Sequence, residues 1–246
     1  MTGTEAPIRI AMWSGPRNLS TALMRSFENR PDCSVVDEPF YAAYLQATGL
    51  DHPGREQVLV AQSTDWRAVA QELTTGEVST PLQYQKHMTH HLLPEIDRDP
   101  LAGLRHAFLV RDPERVLVSY AKVRTAPTLE DLGLPQQVEL FERYGGPVVD
   151  AADVLRDPRT TLTLLCDALG ISFDESMLSW PAGPRDTDGV WAAHWYAGVE
   201  ASTGFAPYSP GGDPLPPRLR PLLDRCLPYA EALAPYRLRS PRHEEP

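Results

Sequence analysis

The sequence predicts an α/β fold with a mainly parallel central sheet, and three observations carry that prediction. The apolar runs Ile8 to Trp13 and His106 to Val110 lack the alternation of a half-exposed strand, as expected for strands covered on both faces. Each runs into a turn and then a helical repeat of apolar residues, giving two strand–turn–helix units at 8–27 and 108–123. Around them, strand-like and helix-like segments alternate, the order expected where helices cross over a parallel sheet. A chain of 246 residues can bury a full core, and a single domain over 1–246 is expected.

Taken in order, the first strand ends in Ser14-Gly15-Pro16-Arg17, where Gly15-Pro16 is turn chemistry. Asn18 or Ser20 can cap the next helix, in which Leu19, Ala22, Leu23, Ser26 and Phe27 recur at helical spacing. Cys33 to Glu38 reads as a short second strand ending in two carboxylates and stopped by Pro39. Strand alternation sends Asp37 and Glu38 to opposite faces. Residues 41–76 are irregularly helical, with one stripe at Trp66, Val69, Ala70 and Leu73. Leu82 to Met88 is a third strand carrying Lys86-His87 near its end.

After a breaker cluster at 97–100, His106 to Val110 forms the next strand. Asp112 caps the helix behind it and Pro113 fits its first turn. Residues 125–135 read as loop, 135–144 as a short helix and 148–150 as a short strand. Asp157-Pro158 repeats the cap-plus-proline start of a helix that stops at Gly170. The segment 174–216 is aromatic and loop-rich, with Trp180, Trp191, Trp195 and Tyr196. It reads equally as a lid or acceptor pocket and as a packing layer over the sheet. Residues 217–237 form a C-terminal amphipathic helix, and 240–246 a frayed tail.

The formal charge of −10 disfavours nucleic acid and anionic membrane surfaces as partners, so an anionic small ligand needs a local cationic pocket. No apolar run approaches the roughly 18 residues of a membrane span. The first residues lack the basic and apolar regions of a secretion signal, so a cytoplasmic location is expected. Cys33, Cys166 and Cys226 are odd in number and widely spaced, which argues against a disulfide framework. Lys86 and Lys122 are the chain's two lysines.

The stretch Ser14-Gly15-Pro16-Arg17-Asn18-Leu19-Ser20-Thr21 joins a buried strand to a helix N-terminus, with a guanidinium and two hydroxyls beside unpaired backbone N–H groups. That is the chemistry of an anion site, although the stretch is not a Walker A sequence. A second grouping pairs Arg111, at a strand end, with Ser119 about two helical turns on, roughly 10 Å along the axis. A folded-back arginine lets both reach one phosphate.

Together these two motifs resemble the PAPS-dependent sulfotransferases, PAPS being 3′-phosphoadenosine-5′-phosphosulfate. The bacterial members are the nearest subgroup, through the segment Asp37-Glu38-Pro39-Phe40. Pro16-Arg17-Asn18-Leu19-Ser20-Thr21 looks like the family's 5′-phosphosulfate loop, with Leu19 where many members have glycine. Phe108 to Pro113 with Ser119 looks like its 3′-phosphate motif. The resemblance runs from about Ile8 to Phe173, and it implies a three-layer P-loop-NTPase-like fold. It implies a donor site at Ser14–Thr21, Arg111 and Ser119, with PAPS as cofactor, PAP as its product and a small-molecule acceptor.

Sulfuryl transfer to a hydroxyl or amine needs a general base beside the in-line donor. Glu38 resembles the glutamate some members use, and His87 the histidine that others place after a lysine. Position beside the loop favours Glu38. Arg17 and Lys86 are expected to stabilise charge building on the bridging oxygen. No metal is expected, since His87, His90 and His91 lack a partnering ligand motif. Two other readings stand beside this one: a P-loop-type small-molecule kinase using ATP, and a non-catalytic nucleotide-binding regulator. No sequence feature speaks to oligomeric state.

Overall fold

The computed structural model describes residues 6–124 and 126–239. Five strands, β1 (Ile8–Ser14), β2 (Cys33–Asp37), β3 (Leu82–Met88), β4 (Arg105–Val110) and β5 (Val148–Asp150), form one parallel sheet in the order β2-β3-β1-β4-β5. The helices are α1 (Ser20–Glu28), α2 (Tyr41–Thr48), α3 (Arg55–Ala61), α4 (Trp66–Thr75), α5 (Pro113–Tyr120), α6 (Leu129–Leu132), α7 (Leu134–Tyr144), α8 (Ala151–Arg156), α9 (Pro158–Ala168), α10 (Ala192–Trp195), α11 (Ala197–Glu200) and α12 (Arg220–Leu233). Among the described residues, none of these helices is long and apolar enough to cross a membrane.

The central position of β1 explains its unbroken apolar run. Ile10 and Met12 face one core with Leu23, Met24 and Phe27 of α1 and Leu162 and Leu165 of α9. Ala11 and Trp13 face a second core with Val69, Ala70 and Leu73 of α4 and Leu140 of α7. The outcome is three layers, helix–sheet–helix, as the α/β prediction requires. A third cluster docks Leu222, Leu223 and Cys226 of α12 on Val116 and Leu117 of α5.

Several boundaries differ from the sequence expectation. Residues 125–135 are not all loop: α6 lies there, held by a capping box in which Thr128 accepts from the Asp131 N–H and Asp131 accepts from the Thr128 N–H. Four helical residues are too few to show a periodicity. Helix α5 ends at Tyr120, which leaves Val123 exposed. Neither Asn18 nor Ser20 caps α1, whose N-cap residue is Leu19 and has no side-chain hydrogen bond. The tail at 240–246 lies outside the described residues.

The aromatic segment is partly packed into the core and partly lines a cavity. Trp191 and Tyr196 are buried in the first core and Trp180 stacks edge-on against Phe205. Trp195 lines a cavity. Residues Ser179 and Gly204 form an antiparallel bridge that closes the segment on itself.

Candidate active site

In a parallel sheet, ligands bind outside the carboxyl ends of the strands. A cavity of about 650 Å³ lies there, bounded by the turn after β1, the residue after β2, the ends of β3 and β4, α5 and the aromatic segment. Among the described residues, three non-glycine residues have a left-handed backbone: Arg17 (φ 62°), Leu19 (φ 71°) and Glu38 (φ 42°). All three line this cavity. Each such residue costs about 1–3 kcal/mol, and strain of this kind collects at functional sites.

The turn after β1 is built from the sheet outward. Ser14 is fully buried and its Oγ donates to the His87 carbonyl at 3.3 Å, so it anchors the turn rather than facing the cavity. Gly15 lets the chain pass α6, since a Cβ there would lie 2.6 Å from the Leu132 carbonyl oxygen. Asn18 donates from Nδ2 to the Leu109 carbonyl at 3.3 Å and ties the turn to β4. Residues 16–21 then form one cavity wall. Because Asn18 is engaged with β4 and Leu19 has no polar side chain, the first N–H groups of α1 have no side-chain cap.

Arg111 and Ser119 are brought to this same wall. Arg17 Nε donates to Ser119 Oγ at 3.1 Å, and an Arg111 Nη donates to the Arg17 carbonyl at 2.6 Å. Burial, then the nearby guanidiniums of Arg115 and Arg17, hold Arg111 below the usual arginine range. Two cations are thus crowded together, and their hydrogen bonds go to a hydroxyl and a carbonyl rather than to a carboxylate.

The same cavity is lined by a cluster around Lys86. Register places Lys86 beside Asp37 of β2 and Met12 of β1. Its Nζ donates to Asp37 Oδ1 at 2.8 Å, Glu38 Oε1 at 2.5 Å and Tyr196 Oη at 2.8 Å. This corrects the expectation that Asp37 and Glu38 point to opposite faces. The strand ends at Asp37, and the left-handed turn at Glu38 breaks the alternation, so both carboxylates meet one ammonium. Burial works against the charge on Lys86, but the two carboxylates outweigh it and hold Lys86 well above the usual lysine range. Burial raises the Glu38 carboxyl above its ordinary range; Lys86 opposes that rise and Asp37 adds to it.

His87 is not part of this cluster. Alternation along β3 sends it to the opposite face, where its ring stacks on Trp13 at 4.2 Å between centroids and its Nε2 lies 3.2 Å from Gln85 Oε1. Burial pushes its pKa down to about 3. The structure brings Glu38, Lys86 and Arg17 to the cavity and leaves His87 in the second core's face of the sheet.

The cavity also holds groups that sequence reasoning did not place in the site. Tyr41 Oη lies 2.9 Å from His52 Nδ1, and the Tyr41 ring stacks on His91 at 4.6 Å. His91 Nε2 lies 3.9 Å from Glu38 Oε2, and Arg124 pairs with Asp131 at 3.2 Å. Burial depresses the pKa of His52, His90 and His91, so all three are neutral near pH 7. Tyr41, His52 and Arg124 come from three separate segments with no shared motif, so only the folded chain shows them as neighbours.

Comparison with known proteins places the chain in a family. A family model described as a sulfotransferase domain matches residues 8–236. Two Arabidopsis thaliana proteins, branched-chain-amino-acid aminotransferase-like proteins 1 and 2, are 41% identical over 232 residues and 37% identical over 229. These alignments cover 92% and 91% of this chain but 42% and 41% of the relatives, so the chain spans about two-fifths of their length. Among solved structures, the sulfotransferase domain from the curacin biosynthetic pathway superposes with a TM-score of 0.55 at 16% identity, covering 96% of this chain and all of that one. A sulfotransferase from Alicyclobacillus acidocaldarius gives 0.55 at 15% identity, covering 95% and 98%. At those identities the likeness is one of fold. The family match opens on the first residue of β1, closes beyond α12 and takes in every cavity residue named above: the chain belongs to the sulfotransferase-domain family.

Proposed function

We propose that the chain transfers a sulfuryl group from PAPS to a hydroxyl or amine of a small molecule, in the cavity at the carboxyl ends of the strands. The observation that carries this reading is the convergence of Arg17, Arg111, Ser119 and the uncapped start of α1 on one wall, with Glu38 lining the same cavity. Crowded guanidiniums whose hydrogen bonds go to neutral oxygens, beside open backbone N–H groups, fit a polyanionic nucleotide. When bound, PAPS supplies a sulfuryl group joined to a phosphate leaving group.

The chain's own residues divide the work. Arg17 and the N–H groups opening α1 hold the negative charge that grows on the departing phosphate oxygen. Arg111 and Ser119 hold the 3′-phosphate. Glu38, its carboxyl raised by burial and paired with the Lys86 ammonium, takes the proton from the acceptor. A small acceptor lies between Glu38 and the aromatic wall of Trp195 and Tyr41.

Calorimetry with PAP and with ATP tests the donor assignment: PAP should bind much the tighter, and tighter ATP binding would overturn it in favour of a kinase. Transfer of label from radioactive PAPS to an acceptor panel should vanish in Glu38→Gln while PAP affinity stays near normal. Full transfer by that variant would remove Glu38 as the base.

A further inference from the structure

All three N–H bonds of the Lys86 ammonium end on protein oxygens, and the residue is 1% exposed. No donor is left to reach into the cavity, so its positive charge acts there through Glu38. The partners behind it form a closed set. Asp37 Oδ2 accepts from the Tyr196 hydroxyl at 2.6 Å and from the Gly189 N–H at 3.3 Å, while Oδ1 accepts from Lys86. The Tyr196 oxygen in turn accepts from Trp191 Nε1 at 3.2 Å. Gly189 is fitted to this corner, because a Cβ there would lie 2.1 Å from the Trp191 ring. Through these bonds the aromatic segment is latched to the same carboxylate and ammonium that support Glu38.

We propose that Asp37 and Tyr196 are positioning residues: they hold the Lys86 ammonium from behind, so that Glu38 faces the cavity with a fixed cation at its back. Their part in the reaction rests on Glu38 being the base, whereas the network can be measured without any donor or acceptor. The groups facing Glu38 are Asp37 on β2, Lys86 on β3, His91 just beyond β3, Tyr41 on α2 and Tyr196 of the aromatic segment. His91 and the two tyrosines are neutral near pH 7, which leaves Asp37 and Lys86 as the charges that set it. A buried ammonium shared by two carboxylates couples them, and removing one carboxylate strengthens the hold on the other.

Two spectroscopic measurements on the full chain test this. Lysine labelled with nitrogen-15 has two side-chain sources, Lys86 and the exposed Lys122. The wild-type protein should show one ammonium signal protected from solvent exchange at neutral pH, absent in Lys86→Met. Tyr196→Phe, which keeps the ring, should lose that protection because one N–H loses its acceptor.

Carboxyl carbon-13 titration, with Glu38 assigned through Glu38→Gln, gives the second measurement. The Glu38 midpoint should drop by about one pH unit in Asp37→Asn. An unprotected Lys86 in the wild type, or a Glu38 midpoint that stays put in Asp37→Asn, overturns the proposal. Tyr196→Phe reads the same network should Asp37→Asn fail to fold. Weak PAP binding beside a protected Lys86 and a shifted Glu38 would instead count against the donor assignment alone.

Discussion

The turns after β1 and β4 start from the same plan and end as opposites. Both follow a buried parallel strand, both lead into an amphipathic helix, and both bring an arginine to the cavity. After β4 the helix is closed: Asp112 accepts from the N–H groups of Glu114 and Arg115, and Pro113 removes a further donor. After β1 the helix is open: its N-cap is a strained leucine and its only amide side chain is tied to β4. A closed helix start can contribute side chains to a site, here Arg111 and Ser119. An open one can also contribute its backbone and dipole. Cap chemistry, more than the strand–turn–helix outline, separates a closed helix start from one whose backbone N–H groups stay open.

The same contrast runs along β3, where neighbouring residues face opposite ways. Lys86 faces the cavity in a charged cluster, while His87 lies among Trp13, Phe40 and Gln85 and is kept neutral. His90, His91 and His106 are likewise buried and held neutral by burial, His106 with its pKa lowered to about 4. Burial thus dictates opposite fates for two adjacent basic residues. The one with carboxylate partners stays charged, and the one among rings does not.

Substitutions at the two turns can break this comparison. Arg111→Ala removes a charge-assisted contact worth about 1.5–3 kcal/mol and should weaken PAP binding by about 10–100-fold in calorimetry. Unchanged affinity would take Arg111 out of the donor wall.

A stability titration tests the neutral histidines. Because their folded-state pKa values are depressed, their contribution is complete above about pH 6.5 and is lost as pH falls toward about 3. Each fully neutral histidine should cost up to about 1.4 kcal/mol per pH unit in that window. Urea unfolding at pH 7.5 and pH 5 should show a marked drop at the lower pH, and His87→Gln should reduce it. Equal stability at both would mean that His87 is solvated.

Two smaller effects sharpen the contrast between open and closed helix starts. Asp112→Ala should cost about 1 kcal/mol in unfolding free energy and leave PAP affinity unchanged, since that cap serves the scaffold. Leu19→Gly should change stability by less than about 1 kcal/mol, because relief of the left-handed backbone offsets lost packing and added chain entropy. A larger loss would show that the leucine side chain, rather than backbone freedom, holds the turn.

Much of the fold was legible because it depends on local pattern. The strands at Ile8, Cys33, Leu82, His106 and Val148 were readable from apolar runs and the breakers around them, and α5 and α9 from Asp-Pro starts. Helix α6 was not, because its capping box encloses only four residues. Among the cavity residues, Glu38 and Arg111 were readable as charged residues at strand ends, Arg17 as the cation of the turn after the first strand, and Ser119 through its spacing from Arg111. His52, Tyr41 and Arg124 carried no comparable signal.

The sequence by itself determined an α/β chain with a mainly parallel sheet and a turn between the first strand and the first helix, because burial period and turn chemistry are written in neighbouring residues. Only the tertiary structure decided which of Asp37, Glu38, Lys86 and His87 share a site. That choice turns on one left-handed residue, Glu38, on the alternation of β3, and on Tyr196 arriving 110 positions after Lys86 to complete the ammonium's bonds. Contacts of that separation depend on how the layers pack, and no local pattern encodes them.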